Sequence, residues 1–189
     1  SQFPLRLQSA ISTDGLTWIP EGIRIADDVV DFAVVARPGG GFRAYYIVSP
    51  TPHSAPLPVV SAVSADGLNW TPEAGTRHPG VLYFTASRLD DETVVLSYAT
   101  DFLSTLSARS SDGLSFTNDA GVRMLPGNHP DSNPQESGTN LLSSFVQFPD
   151  GRVRVYYQGS STGDISNPAR IFSAVAASRH AAAPLGPSN

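Results

Sequence analysis

The side chains that could do chemistry in this sequence are carboxyl groups in unusual places. Asp31 opens the run Asp31-Phe32-Ala33-Val34-Val35, and a carboxylate entering an apolar strand needs a physical reason to be there. Glu136 stands in His129-Pro130-Asp131-Ser132-Asn133-Pro134-Gln135-Glu136-Ser137-Gly138, within the longest stretch lacking a strand pattern and shortly before the apolar run from Leu141. Stretches of more than about 12–15 residues without their own secondary structure are usually functional or disordered. Asp101 follows another strand pattern, Thr93 to Tyr98, after Ala99 and Thr100. An ionised carboxylate beside a protonated one forms an acid–base pair, each tuned by its surroundings. Asp31 is the candidate base or nucleophile, Glu136 the candidate acid, and Asp101 a group that orients a ligand or tunes a neighbour.

Other chemistries are excluded by what is missing. The chain has no cysteine, so disulfides, thiolate metal sites and thiol nucleophiles are absent. All twelve cationic side chains are arginine, which removes Schiff-base chemistry and the phosphate-binding lysine loop. His53, His78 and His129 lie on separate segments without ligand spacing, so no metal is expected. Gly39-Gly40-Gly41 joins two strand patterns rather than a strand to a helix, and reads as a hairpin turn instead of a nucleotide cradle. No cofactor is implied. A net charge of −5 argues against a nucleic-acid partner, and no apolar run is long enough for a membrane-spanning helix.

The elements that must position these carboxyls announce themselves by repetition. Ser9-Ala10-Ile11-Ser12-Thr13-Asp14-Gly15-Leu16-Thr17-Trp18 returns as Ser61 to Trp70 and as Ser107 to Phe116, and a worn copy, Ser173 to Ser178, lacks the Asp-Gly pair. Asp14, Asp66 and Asp112 fall 52 and 46 residues apart. Each copy reads as a strand, a two-residue Asp-Gly turn with positive φ at both positions, and a second strand near an aromatic residue. Between copies lie two further strands: Val29 to Arg37 with Phe42 to Ile47, Val81 to Arg88 with Thr93 to Tyr98, and Leu141 to Phe148 with Arg152 to Tyr157. The run Val29 to Arg37 is nearly continuous in apolar residues, as for a strand buried on both faces. Ile19 to Asp28, with Pro20 and Gly22, reads as a loop.

Four antiparallel strands in about 50 residues is the size of a propeller blade. The sequence therefore predicts an all-β propeller of four-stranded antiparallel blades. About three to four blades fall in this chain: a partial one at 5–19, then 29–77, 80–123 and 141–178, with a flexible tail at 180–189. Propellers typically close with four to eight blades, so the chain is expected to be part of a five-bladed propeller or to be completed by a second copy. The repeated aspartates are structural, and Trp18, Trp70 and Phe116 are expected to fill the space between blades.

Asp150-Gly151-Arg152-Val153-Arg154-Val155-Tyr156-Tyr157 and Ser12-Thr13-Asp14-Gly15-Leu16-Thr17-Trp18 resemble the blade motifs of the five-bladed propeller glycoside hydrolases of families 43, 32, 117 and 130, and more distantly sialidase repeats. The sialidase repeat has one more residue between its Asp and Gly, so sialidase activity is not expected. The resemblance implies a carbohydrate ligand on the loops at one end of the propeller axis, and a secreted or periplasmic protein of bacterial type. It places Asp31 and Glu136 on either side of a scissile glycosidic bond, with Asp101 nearby. Asp28, His53, His78, His129, Asp131 and Arg170 become candidate substrate contacts on the same loops. The rival expectation is a non-catalytic propeller that binds carbohydrate or protein.

Overall fold

A computed structural model describes residues 5–48, 56–89, 92–101, 103–125, 139–160 and 170–176. These form strands and turns, and the chain divides into two compact units, Ser1–Val81 and Leu82–Asn189.

In the first unit, β1 (Leu7–Ile11) and β2 (Ile19–Ile25) make a two-stranded sheet. Four further strands, β3 (Val29–Ala36), β4 (Phe42–Val48), β5 (Leu57–Ser64) and β6 (Thr71–Val81), make an antiparallel meander in chain order. In the second unit, β7 (Tyr83–Arg88), β8 (Val94–Ala99), β9 (Leu106–Ser110) and β10 (Thr117–Asn118) form a second four-stranded meander. The strands β11 (Thr139–Gln147), β12 (Val153–Ser160) and β13 (Arg170–Ala176) form a three-stranded sheet. The first strands of the two sheets in this unit, β7 and β11, pack on one another. The tail 180–189 lies outside the described residues.

The central strand β4 shows why the first unit holds together. Its alternate residues Ala44 and Tyr46 join Leu7, Ile25, Val29 and Ala62 in one buried cluster, so β1 and β2 lie on this face of the meander. Trp70 packs against that cluster. Tyr45 and Ile47 point to the other face and are fully buried as well. A strand whose two faces are both covered reads as a continuous apolar run, and Ala44-Tyr45-Tyr46-Ile47 is one.

Three expectations need correction. The Asp-Gly turns do not have positive φ at Asp: among the described residues, Glu92 is the one non-glycine with positive φ. The turn is held by side chains instead. Asp14 Oδ1 accepts the amides of Leu16 and Thr17 at 2.8 Å, and Ser12 Oγ accepts that of Gly15 at 2.8 Å. Asp66 with Ser64, and Asp112 with Ser110, repeat the arrangement. Only the glycines, with φ of 71° to 77°, are left-handed.

The segment Ile19–Ile25 is a strand and not a loop, and β6 runs through residues 72–80. Their Pro and Gly are edge-strand features: Pro20 and Pro72 face Ala10 and Ala62, and the missing N–H is harmless on a sheet edge. Lastly, β3 is not buried on both faces. Val35 is buried, whereas Phe32 and Val34 are 54% and 45% exposed.

Candidate functional site

Asp31 lies on β3, half-buried, where the ladder to β4 slips. Val29 pairs with Val48 and Phe32 with Tyr46, so Val30 and Asp31 together face the single residue Ile47. This is a β-bulge, a device that re-aims a side chain and is enriched beside active sites. Asp31 therefore sits at the one irregular step in the β3–β4 ladder. At the equivalent place on β7, beside the Phe84–Tyr98 pair, the ladder is regular and the residue is Tyr83. Its hydroxyl donates to the Asp101 carbonyl at 3.3 Å, and burial pushes its pKa up to about 12, with the Asp101 charge adding to the rise.

Asp101 organises its own loop. Its carboxylate accepts the amides of Leu103 at 2.8 Å and Ser104 at 2.6 Å, and the Ser104 hydroxyl at 2.9 Å. Burial raises its pKa, but the Ser104 and Leu103 amides and the Ser104 hydroxyl outweigh that, leaving it below the ordinary aspartate value. A group held ionised in this way suits an orienting or electrostatic role and cannot serve as a proton donor near neutrality.

The other candidates are distributed unevenly. Asp28 precedes β3 and accepts the Leu5 amide at 2.8 Å, tying the chain before β1 to the start of β3. His78 is buried on β6, paired across from Val59, and its Nδ1 accepts the Gly80 amide at 3.4 Å. Arg170 begins β13. His53, His129, Asp131 and Glu136 lie outside the described residues. Among the described residues no group of three His, Asp or Glu could hold a metal. A shallow depression between the β3–β4 and β5–β6 turns involves Asp66, but that carboxylate is committed to its turn.

A set of polar contacts that sequence reading missed recurs in both units. Ser9 donates to Glu21 at 2.8 Å, Ser61 to Glu73 at 2.8 Å, and Ser107 to Asp119 at 2.6 Å, each acid twelve residues after its serine. An arginine completes each group. Arg43 forks onto Glu73 at 2.8 and 3.0 Å, Arg109 reaches Asp119 at 3.0 Å, and Arg24 donates to Ser9 at 2.6 Å. Arg24 in the first copy, and a second arginine in the other two, Arg77 and Arg123, each donate to the carbonyl three residues before them. These groups pin the outer strand of each sheet to its neighbour. The signal was in the text: Pro20-Glu21-Gly22-Ile23-Arg24, Pro72-Glu73-Ala74-Gly75-Thr76-Arg77 and Asn118-Asp119-Ala120-Gly121-Val122-Arg123 follow each motif.

Solved structures show what this architecture is. The chain is similar to an endo-arabinase from Bacteroides thetaiotaomicron, with a TM-score of 0.70 at 14% identity, over 92% of this chain and 68% of that one. An exo-β-1,3-galactanase from Phanerochaete chrysosporium matches at a TM-score of 0.61 and 17% identity, over 89% of this chain and 40% of its own. A fructofuranosidase from Schwanniomyces occidentalis matches at 0.59 and 12% identity, over 91% of this chain and 37% of its own. The chain thus spans about two thirds of the first and about 40% or less of the other two. No protein-family model matches it, and no curated protein matches it in sequence. The fold is the β-propeller architecture that these structures share, all-β with four-stranded antiparallel blades, and the described sheets make up part of such a propeller.

Proposed function

We propose that this chain is part of a propeller that hydrolyses a glycosidic bond, with Asp31 as base or nucleophile and Glu136 as general acid. The observation that carries the reading is Asp31 at the β3 bulge, in a fold shared with an endo-arabinase, a galactanase and a fructofuranosidase. Hydrolysis of this kind uses one ionised and one protonated carboxyl on opposite sides of the bond, about 5–5.5 Å apart for retention or about 6.5–9.5 Å for inversion. Asp101, held ionised by its own loop, is assigned an electrostatic role, keeping a neighbouring carboxyl or the sugar oriented. Arg170, His53, His129 and Asp131 are assigned to substrate contacts. Asp28, which accepts the Leu5 amide at the start of β3, and His78, buried on β6, are assigned to holding the strands of the first unit. The protein is assigned to the cell exterior or periplasm, where polysaccharides are met. Among the described residues no helix is long and apolar enough to cross a membrane.

The test is a hydrolysis screen on arabinan, β-1,3-galactan and fructoside oligosaccharides, run on the wild type, Asp31→Asn and Glu136→Gln. Sugar release should fall by at least about 10²–10⁴-fold in each variant, the range for losing a positioned acid or base. Release that survives both substitutions would remove these two residues from the mechanism. Saturable binding of the same sugars without any release would favour the non-catalytic carbohydrate-binding propeller.

A further inference from the structure

Asp-Gly occurs four times in this chain, at Asp14, Asp66, Asp112 and Asp150. The pair is chemically labile as well as a turn former. Its glycine amide nitrogen, unshielded by a neighbouring side chain, can attack the aspartate Cγ. The N–Cγ bond forms, the amide proton and the carboxyl OH leave together as water, and a cyclic succinimide results. Water then reopens the ring. Where it breaks the bond between that nitrogen and the aspartate's main-chain carbonyl, the chain runs on through Cβ and Cγ as isoaspartate. The first step needs a released amide and a carboxyl that has taken up a proton.

One hydroxyl obstructs this reaction in each copy of the repeat. Ser12 Oγ accepts the Gly15 amide at 2.8 Å and donates to Asp14 Oδ1 at 2.9 Å. It therefore ties up both the attacking nitrogen and the carboxyl that would be attacked. Ser64 does the same for Gly67 and Asp66 at 2.8 and 2.9 Å, and Ser110 for Gly113 and Asp112 at 2.8 Å each. The amides of the next two residues also donate to each carboxylate, as Leu16 and Thr17 do at 2.8 Å. Every such donor favours the ionised form, which is poorly set to lose oxygen as water.

Asp150-Gly151 is built differently. Phe148 stands two residues before Asp150, where the repeats have serine. The Gly151 amide donates to the Phe148 carbonyl at 2.9 Å, and the Phe148 amide to the Arg152 carbonyl at 2.8 Å, closing the turn between β11 and β12. The Asp150 carboxylate accepts the Arg152 amide at 3.1 Å and Arg152 Nε at 2.8 Å, with both side chains about half exposed. Among the described residues no side chain bridges the Gly151 amide to this carboxylate. Gly151 is left-handed like the other three, at a φ of 84° against 71° to 77°. The difference therefore lies in the clamp and not in the type of backbone.

We propose that Asp150 is the site at which this chain is modified to isoaspartate, and that the serine of the repeat guards Asp14, Asp66 and Asp112. The modification inserts one main-chain carbon into the β11–β12 turn. The closing pair Phe148–Arg152 then loses its spacing. With it goes the stacking of Arg152 and Arg154 on the Phe148 ring, at 5.3 and 5.5 Å.

The test ages the whole chain in mildly acidic buffer, folded and in urea. Asp-N protease, which cuts before aspartate and not before isoaspartate, then reads each pair by mass spectrometry. In the folded chain Asp150 should convert at least about tenfold faster than the other three, as for two hydrogen bonds fewer. In urea the four rates should converge. Ser12→Ala should speed conversion of Asp14 about fivefold, as for one lost hydrogen bond, and Ser12→Thr, which keeps the hydroxyl, should not. Asp150→Glu, whose longer side chain closes the ring far more slowly, should remove the fast reaction. Equal rates in the folded chain would overturn the proposal, as would a difference that persists in urea. A Ser12→Ala chain that converts Asp14 no faster than wild type would overturn the guarding role.

Discussion

The first two copies of the repeat differ by few residues and stand in very different surroundings. On β5–β6, Trp70 packs on the buried cluster and donates its indole N–H to the Gly67 carbonyl at 3.1 Å. On β1–β2, Trp18 is 58% exposed and Leu16 87% exposed. The acid of the second copy, Glu73, is gripped by Arg43 and Ser61 with both side chains of the ion pair mostly covered. Glu21 in the first copy lies 3.9 Å from Arg24, without the close fork that Arg43 makes, although these side chains are nearly as covered. The turn itself is the same in both, down to the individual hydrogen bonds. Local chemistry is thus copied by the sequence, whereas the energy each copy contributes depends on how many strands stand beside it.

That contrast predicts a graded series. Glu73→Ala should cost about 3 kcal/mol, because it leaves the Arg43 guanidinium beside Tyr45 with its charge uncompensated in a covered site. Asp119→Ala, whose Arg109 partner is more exposed, should cost about 1–2 kcal/mol. Glu21→Ala, whose ion pair with Arg24 is stretched to 3.9 Å, should cost less than about 1 kcal/mol. Urea unfolding of the three variants checks the order, and equal costs would break the comparison.

The aromatic pair gives a second gradation. Trp70→Ala should lose about 2–3 kcal/mol, somewhat below a fully buried aromatic. Trp18→Ala should lie within about 0.5 kcal/mol of wild type, as for a surface change. Thermal melts of both variants decide this, and a large loss at Trp18 would mean that its surface is covered in solution.

The smallest effect is electrostatic and shared by the copies. The Thr17 and Leu16 amides, with the Ser12 hydroxyl, hold Asp14 down at about 2, and the Ser115 and Leu114 amides with Ser110 do the same for Asp112, also about 2. Asp66 is lowered further by the Asn69 and Leu68 amides. Each folded-state value lies below the ordinary 3.8, so the stabilisation is fully present above that value. It is lost as pH falls from there through about 2. Melting temperature should decline over this window, and Asp112→Asn, which keeps an oxygen acceptor but no charge, should flatten the decline. An unchanged slope would show that these carboxylates do not stabilise the turns through their charge.

Part of the candidate site could be read in the sequence for a definable reason. Asp31 was visible because a carboxylate within Val29–Val35 contradicts the local pattern, and such contradictions mark functional or strained positions. Its bulge was not visible, because register is decided between two strands and Asp31 sees only one of them in the text. Asp101 read as a ligand group, and the structure adds that its carboxylate organises residues 101–104. The Ser–acid pairs escaped because twelve residues and a turn separate each partner, although the spacing recurs three times.

By itself the sequence determined the repeating unit. Asp-Gly with a serine two residues before Asp encodes a turn whose hydrogen bonds are all made within a few residues. The alternating and continuous apolar runs encode strands that pair with their chain neighbours. Tertiary structure alone decided that Trp70 is packed and Trp18 exposed, that β3 turns Phe32 and Val34 outward, and that Pro20 and Pro72 belong to edge strands. Those outcomes depend on which surfaces meet, and burial is a property of neighbours brought from elsewhere in the chain. Identical motifs record only their own side of each contact.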